Sequence, residues 1–221
     1  MALPENASGL VFVRRQDFLV HLDKQGQEQY TGYRIKILHP NALQLGNLTI
    51  SWNPAYGVPT AHSIKIYRDG ETIDILSKAS FEILRREDQL EAAKLDGILT
   101  AVLRVGDLRV GDELEVAFTI QASDPTLGNK DSGLLFLLPN PPTGRFHLGV
   151  NWLEGQEPKL KMTRDMAAIA KRSPRSIDAQ LDNPGALSPP KDAPPRYQWQ
   201  RIIEYSDFLD WNKISKSFAW L

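Results

Sequence analysis

Four histidines, His21, His39, His62 and His147, are the first residues to weigh, because an imidazole can bind a metal or move a proton near neutral pH. They stand on separate segments without close partners at i+2 or i+4, whereas a metal site needs ligands that converge. They therefore read as surface or packed histidines, and His62, opening a predicted strand, as the holder of a structural hydrogen bond. Carboxylates are more plentiful, for example Glu82, Glu87, Asp88, Asp112 and Glu113. A glycosidase-type acid pair has no fixed sequence spacing, so a hydrolase built on two of these stands as an alternative that needs both in one cleft. Asp107 and Asp112 each follow a glycine, and the ordinary work of aspartate in such turns is to accept amide hydrogens.

The nucleophile inventory is short. With no cysteine in the chain, thiolate catalysis, a cysteine-ligated zinc, an iron–sulfur cluster and a disulfide framework are excluded. No Gly-x-Ser-x-Gly turn occurs to present a serine, and neither Gly-x-x-x-x-Gly-Lys nor Gly-x-Gly-x-x-Gly occurs to cradle a phosphate. No cofactor or metal is expected. The aromatic residues Trp52 with Tyr56, and Tyr197 with Trp199, could stack on a sugar or a peptide if exposed. In β-sandwiches such rings more often fill the core or cover its edge. Asn6 and Asn47 sit in short glycosylation-acceptor matches that carry no functional weight.

The elements that would hold these residues follow from composition and period. A chain of 221 residues, 42% hydrophobic and 24% charged, can bury a core and spans one large β-rich domain or two small ones. A net charge of −1 gives no electrostatic footprint for nucleic acid. The longest apolar runs, such as Leu134 to Leu138, fall far short of the roughly 20 residues that cross a bilayer as a helix. The first six residues lack the basic stretch and apolar run of a signal peptide.

Period-2 alternation marks strands at Phe18 to Leu22, Tyr33 to Leu38 and Leu48 to Trp52, with a first turn at Lys24 to Gln27. Ser63 to Tyr67 and Glu71 to Leu76 flank an Asp69-Gly70 pair and predict a tight hairpin. Phe81 to Leu95 begins as a strand and ends in better helix formers. Ile98 to Val105 and Glu113 to Gln121, joined by two Gly-Asp turns, read as a second hairpin. Strands are expected around Arg145 to Trp152 and Tyr197 to Ile203. Met162 to Lys171 fits helix and strand equally, and the proline-dense stretch from Pro184 to Pro195 reads as an ordered loop. At the far end Trp211, Ile214, Phe218 and Leu221 recur at the spacing of one helix face, with Ser206, Asp207 or Asp210 available as N-cap. An uncovered apolar stripe usually has a partner surface, so the sequence reads as a fragment of something longer.

One block carries a resemblance. Pro54-Ala55-Tyr56, His62-Ser63-Ile64 leading into Arg68-Asp69-Gly70, Leu84 to Glu87, Asp96-Gly97 and Asp107 to Glu115 follow one another in a familiar order. Together they resemble the domain of unknown function that precedes a transglutaminase-like, papain-fold domain in many bacterial proteins. Tyr205 to Trp211 looks like that family's junction, where a helix leads into the next domain. Gln121 to Pro125 departs from the glycine and Asn-Pro pair usual in the family. The resemblance implies a β-sandwich ahead of a catalytic domain, in proteins usually exported across the inner membrane. The catalytic Cys, His and Asp would lie past Leu221, and no catalytic residue carries over.

The sequence thus predicts a mainly all-β fold, an antiparallel β-sandwich over residues 1–205 with a C-terminal helix over 206–221. The expected role is that of a noncatalytic accessory domain, periplasmic or otherwise extracytoplasmic, with a cytoplasmic setting as the alternative. Its expected partner is the downstream transglutaminase-like domain, contacted through Trp211, Ile214, Phe218 and Leu221. The rival reading is a stand-alone module that binds cell-wall glycan or peptide through Trp52, Tyr56, Tyr197 and Trp199. No nucleic-acid partner and no membrane span are expected.

Overall fold

The structure, a computed structural model, describes residues 9–85, 97–123, 127–137, 143–185, 191, 192, 194, 201–208 and 210–219. In chain order the strands are β1 (Val11–Asp23), β2 (Gly26–Ile37), β3 (Asn47–Trp52), β4 (Pro59–Arg68), β5 (Glu71–Asp74), β6 (Glu82–Arg85) and β7 (Leu99–Arg104). They continue as β8 (Glu113–Ala122), β9 (Ser132–Phe136), β10 (Thr143–Trp152), β11 (Lys159–Met162), β12 (Lys171–Ser173), β13 (Ser176–Asp182) and β14 (Ile202–Ser206). The helices are α1 (Arg164–Ile169) and α2 (Trp211–Phe218).

One eight-stranded sheet, ordered β12-β13-β10-β1-β2-β8-β4-β5, is covered on one face by two small sheets, β3-β7-β6 and β11-β14-β9. The first core joins the start of β1 and the end of β2 to β4, β8, β3 and β7, through Val11, Val13, Ile37, Leu48, Ile66, Leu103 and Leu114. The second joins the end of β1 to β10, β13 and β14, through Val20, Leu22, Leu148, Ile177 and Ile203, with Met166 of α1 added. Phe146, Leu148 and Val150 of β10 are fully buried, and each such side chain contributes about 2 kcal/mol relative to exposure. The fold is mainly β, as expected, with a short helix at the C-terminal end.

A β-bulge in β1 lets a single strand serve both cores. The residues of β1 that pack into the two cores change from odd to even positions, Val11 and Val13 giving way to Phe18, Val20 and Leu22. The bulge between Val13 and Arg15 absorbs the extra residue, so that Val13 faces Ile35 and Arg15 faces Arg34. Both apolar sets then point to the same side of the sheet. Arg14 and Arg15 project together toward the opposite, outer face, where Arg14 meets Glu113.

Several expectations are refined. The Asp69-Gly70 hairpin forms between β4 and β5, with both turn residues at positive φ (48° and 84°), the geometry that favours this pair. The sandwich is not wholly antiparallel, since β1 runs parallel to β10, from Val13 opposite Thr143 to Leu22 opposite Trp152. Nor do β7 and β8 form a hairpin. β7 pairs with β3 and β6 in a small sheet, while β8 pairs with β2 and β4 in the large one. The Gly106 to Asp112 connection therefore crosses from one layer to the other, because both strands carry a buried face and each finds it in a different sheet. The ambiguous stretch from Met162 resolves into the end of β11 followed by α1. The second half of the Phe81 to Leu95 segment and most of the proline-dense stretch lie outside the described residues.

Candidate functional site

The predicted interface residues come together on α2. Asp210 caps the helix, its Oδ1 accepting the Lys213 N–H at 2.8 Å, and this bond holds its carboxyl below the usual range. Trp211 is 81% exposed and Phe218 53%, with Ile214 half-buried between them on the same side. Leu221 lies outside the described residues. An exposed tryptophan and phenylalanine on one short helix form an apolar stripe, and α2 makes no extensive packing contact with another element among the described residues.

The aromatic stacking candidates do not form a site. Trp52 is only 9% exposed and packs with Ile50 and Ala101 against Phe81, Leu99, Phe118 and Ile120, so it is core, as the inward face of an alternating strand requires. Tyr56 is half-buried in the turn after β3, where Asn53 Oδ1 accepts the Ala55 N–H and the Tyr56 carbonyl accepts the Ser123 hydroxyl. Tyr197 and Trp199 lie outside the described residues.

The histidines stay apart, and among the described residues no group of three His, Cys, Asp or Glu side chains is placed to hold a metal ion. His39 caps the turn that follows it by accepting the Asn41 N–H. His62 sits at a bulge in β4, with Nε2 2.7 Å from Thr119 Oγ1, and so holds the structural hydrogen bond expected of it. His21 Nδ1 contacts Asn151 Oδ1. His147 lies between Asp17 (3.5 Å) and Asp178 (2.6 Å), and these two carboxylates push its imidazole up to about 9 against the effect of burial. It is a cation at neutral pH.

The carboxylates are engaged by arginine. Arg68 forms a fork onto Asp112, at 2.9 and 2.7 Å, and also reaches Asp107 at 2.9 Å. Asp112 further accepts the Arg109 N–H at 2.8 Å, the turn-capping role expected of it. Arg68 holds both carboxyls below the ordinary range. At Glu113 burial works upward, but Arg14 (2.9 Å) and Arg34 (2.6 Å) outweigh it and keep this carboxyl low as well. A general acid needs the opposite, a carboxyl held neutral. Glu82 is exposed on β6, and Glu87 and Asp88 lie outside the described residues.

Sequence reasoning missed the outer face of the large sheet, where Arg14, Arg15, Arg34, Arg145, Glu113 and Glu115 line an open groove of about 370 Å³. It also missed a polar seam between layers. Tyr205 Oη donates to Gln27 Oε1 at 2.6 Å, Gln27 Nε2 donates to Asp131, and the Asp131 N–H donates to Asp207 at 2.6 Å. Burial pushes the Tyr205 phenol and the Asp207 carboxyl up. The seam ties β2 of the large sheet to β9 and β14 of the small one.

Comparison with known proteins adds the family and the fold. No curated protein matches the sequence. A candidate protease from Parabacteroides distasonis, known from its crystal structure, is 16% identical and superposes with a TM-score of 0.68 over 90% of this chain and 40% of that one. Leukotriene A4 hydrolase of Saccharomyces cerevisiae is 12% identical, with a TM-score of 0.42 over 90% of this chain and 29% of that one. The first likeness concerns fold alone, and the second is too loose to argue from. The chain spans less than half the length of either protein. The profile of a domain of unknown function with a solved structure (DUF3857) matches residues 23–180, and the chain belongs to that family.

Proposed function

We propose that this chain is a noncatalytic accessory domain of a bacterial transglutaminase-like, cysteine-protease-like protein, and that it positions the catalytic domain or its substrate. The supporting observation is the stripe of Trp211 (81% exposed), Ile214 and Phe218 (53% exposed) on α2, directly after the last strand of the sandwich. An apolar stripe of this kind loses little on being covered by a neighbouring domain and gains the burial of two large aromatic side chains. The likeness to a candidate protease of which this chain corresponds to 40% supports the same reading. Without a cysteine, the chain leaves any thiol chemistry to another part of the polypeptide. The setting that goes with this reading is extracytoplasmic.

The test compares hydrogen exchange over residues 211–218 in this chain and in one continued into the following domain. Protection rising by about tenfold or more in the longer chain supports the reading. Equal exchange in both overturns it.

A further inference from the structure

Among the described residues the three sheets end in six edge strands, and five of them carry the charged or polar rows that discourage further pairing. β12 has Lys171 and Arg172, β5 has Glu71 and Asp74, β11 has Lys159 and Lys161, and β6 has Glu82 and Arg85. The exposed row of β3 is Asn47, Thr49 and Ser51. β9 differs. Its exposed row is Ser132, Leu134 and Phe136, with the leucine 45% and the phenylalanine 46% exposed.

The backbone of the same residues points to the open side. In the ladder between β9 and β14, the Asp207 N–H donates to the Asp131 carbonyl and the Leu137 N–H to the Arg201 carbonyl, so the odd positions of β9 bond to β14. Alternation turns the N–H and C=O groups of the even positions the other way. The Ser132 N–H is taken by Asp131 Oδ1. Leu134 and Phe136 are left with their backbone groups facing no strand among the described residues.

These groups border a slot between the two small sheets. On the inner face of the large sheet Thr31 stands between Phe18 and Phe118, and Gln29 between Val20 and Ile120. Phe18 and Val20 of β1 pack in the second core, while Phe118 and Ile120 of β8 pack with Ile50 and Trp52 of β3. The β2 residues between them belong to neither cluster, and Gln29 is exposed although it faces inward. The uncovered floor is therefore the width of a single strand. The slot holds about 330 Å³, and no charged residue lines it.

We propose that this slot takes one extended, uncharged segment of a protein partner, added to the small sheet as a fourth strand beside β9. Residues of that segment opposite Leu134 and Phe136 exchange hydrogen bonds with them and share their outward face, which calls for apolar side chains. Residues between rest on Gln29 and Thr31, which suits threonine. A charged side chain there would find no partner. A second copy of this chain does not fit, because it brings its own large sheet beneath its β9. An edge of five residues also falls short of the about 1,200 Å² that a stable dimer buries. The site goes beyond the domain-positioning role and lies on a different element from the α2 stripe.

The experiment uses the 221-residue chain and a fluorescein-labelled peptide of three threonine-valine repeats followed by two lysines, read by anisotropy. The same peptide N-methylated at its valines keeps the side chains and loses the edge hydrogen bonds. Saturable binding of the first peptide is expected, weakening about tenfold or more on N-methylation. Leu134→Pro removes one outward N–H and leaves the bonds to β14 in place, so it should melt near the parent and bind about tenfold or more weakly. Should it fail to fold, Thr31→Phe fills the slot from its floor and should weaken binding about fivefold or more. Lys171→Gln, on the far edge of the large sheet, should change it less than about twofold. Sedimentation should show a monomer. Absence of saturable binding overturns the proposal, as does equal binding of the N-methylated peptide or an unchanged affinity in a folded Leu134→Pro or Thr31→Phe variant. A dimer that Leu134→Pro dissolves also overturns it, by assigning the edge to a second copy.

Discussion

Gly133 of β9 lies directly opposite Tyr205 of β14, and the tyrosine ring occupies the space that a β-carbon at Gly133 would need, with ring atoms at 2.6 and 2.8 Å from that position. The ring is only 3% exposed and its hydroxyl is bonded to Gln27. The glycine is thus the condition for the seam between the two layers. Gly133→Ala must push Tyr205 off Gln27 and is expected to lower stability by about 1–3 kcal/mol, measured by urea unfolding.

His147 gives a pH signature. Its folded value of about 9 lies above the ordinary 6.5, so its stabilising effect is fully present below about pH 6.5 and fades as pH rises through about 9. The parent should lose about 2 kcal/mol relative to His147→Gln between pH 6 and pH 10, with solvent screening of the half-buried pair allowed for. Parallel unfolding curves for parent and variant across that range would contradict it.

Arg68 and Asp112 behave oppositely with pH. The Asp112 carboxyl is held below its ordinary value, so the pair stabilises above about pH 4 and the effect is lost as pH falls further. Asp112 is only 2% exposed, and removing its partner strands a buried charge. Arg68→Gln should lower the urea midpoint at pH 7 more than Arg109→Gln does, and the gap between them should narrow toward pH 3.

How much of this was legible in the sequence depends on the range of the interaction. The strands show in their alternation and the Asp69-Gly70 turn in its dipeptide, because both are local. Periodicity says that a strand has a buried face but not which sheet it joins, which is why β7 and β8 read as a hairpin and why the parallel pairing of β1 with β10 was invisible. The outer groove lined by Arg34, Arg15 and Arg145 draws on three distant parts of the chain and had no local signal. The α2 stripe was legible because a helix face is written within a dozen residues. Trp52 shows the limit of residue type alone, since its place in an alternating strand decided between core and surface.

Two tryptophans should separate core from surface. Trp152, 3% exposed in the second core, should cost about 3–5 kcal/mol as Trp152→Ala. Trp211→Ala should change the stability of this chain by no more than about 0.5 kcal/mol, since Trp211 is 81% exposed. Chemical denaturation of the two variants side by side decides it.

Deleting Arg14 tests the bulge. Removing the extra residue puts Val11, Val13, Phe18, Val20 and Leu22 on one period-2 alternation, so β1 can keep both apolar sets on the inner face as a regular strand. The expected outcome is that the deletion, like Arg14→Ala, keeps the folded circular dichroism spectrum, and loss of that spectrum on the deletion alone would contradict it.

Because β1 runs unbroken through both apolar clusters, neither half of the large sheet has a boundary at which it can come apart alone. Heating should therefore produce a single calorimetric transition in which the two clusters melt as one cooperative unit, and a proteolytic cut within β1 should release both at once.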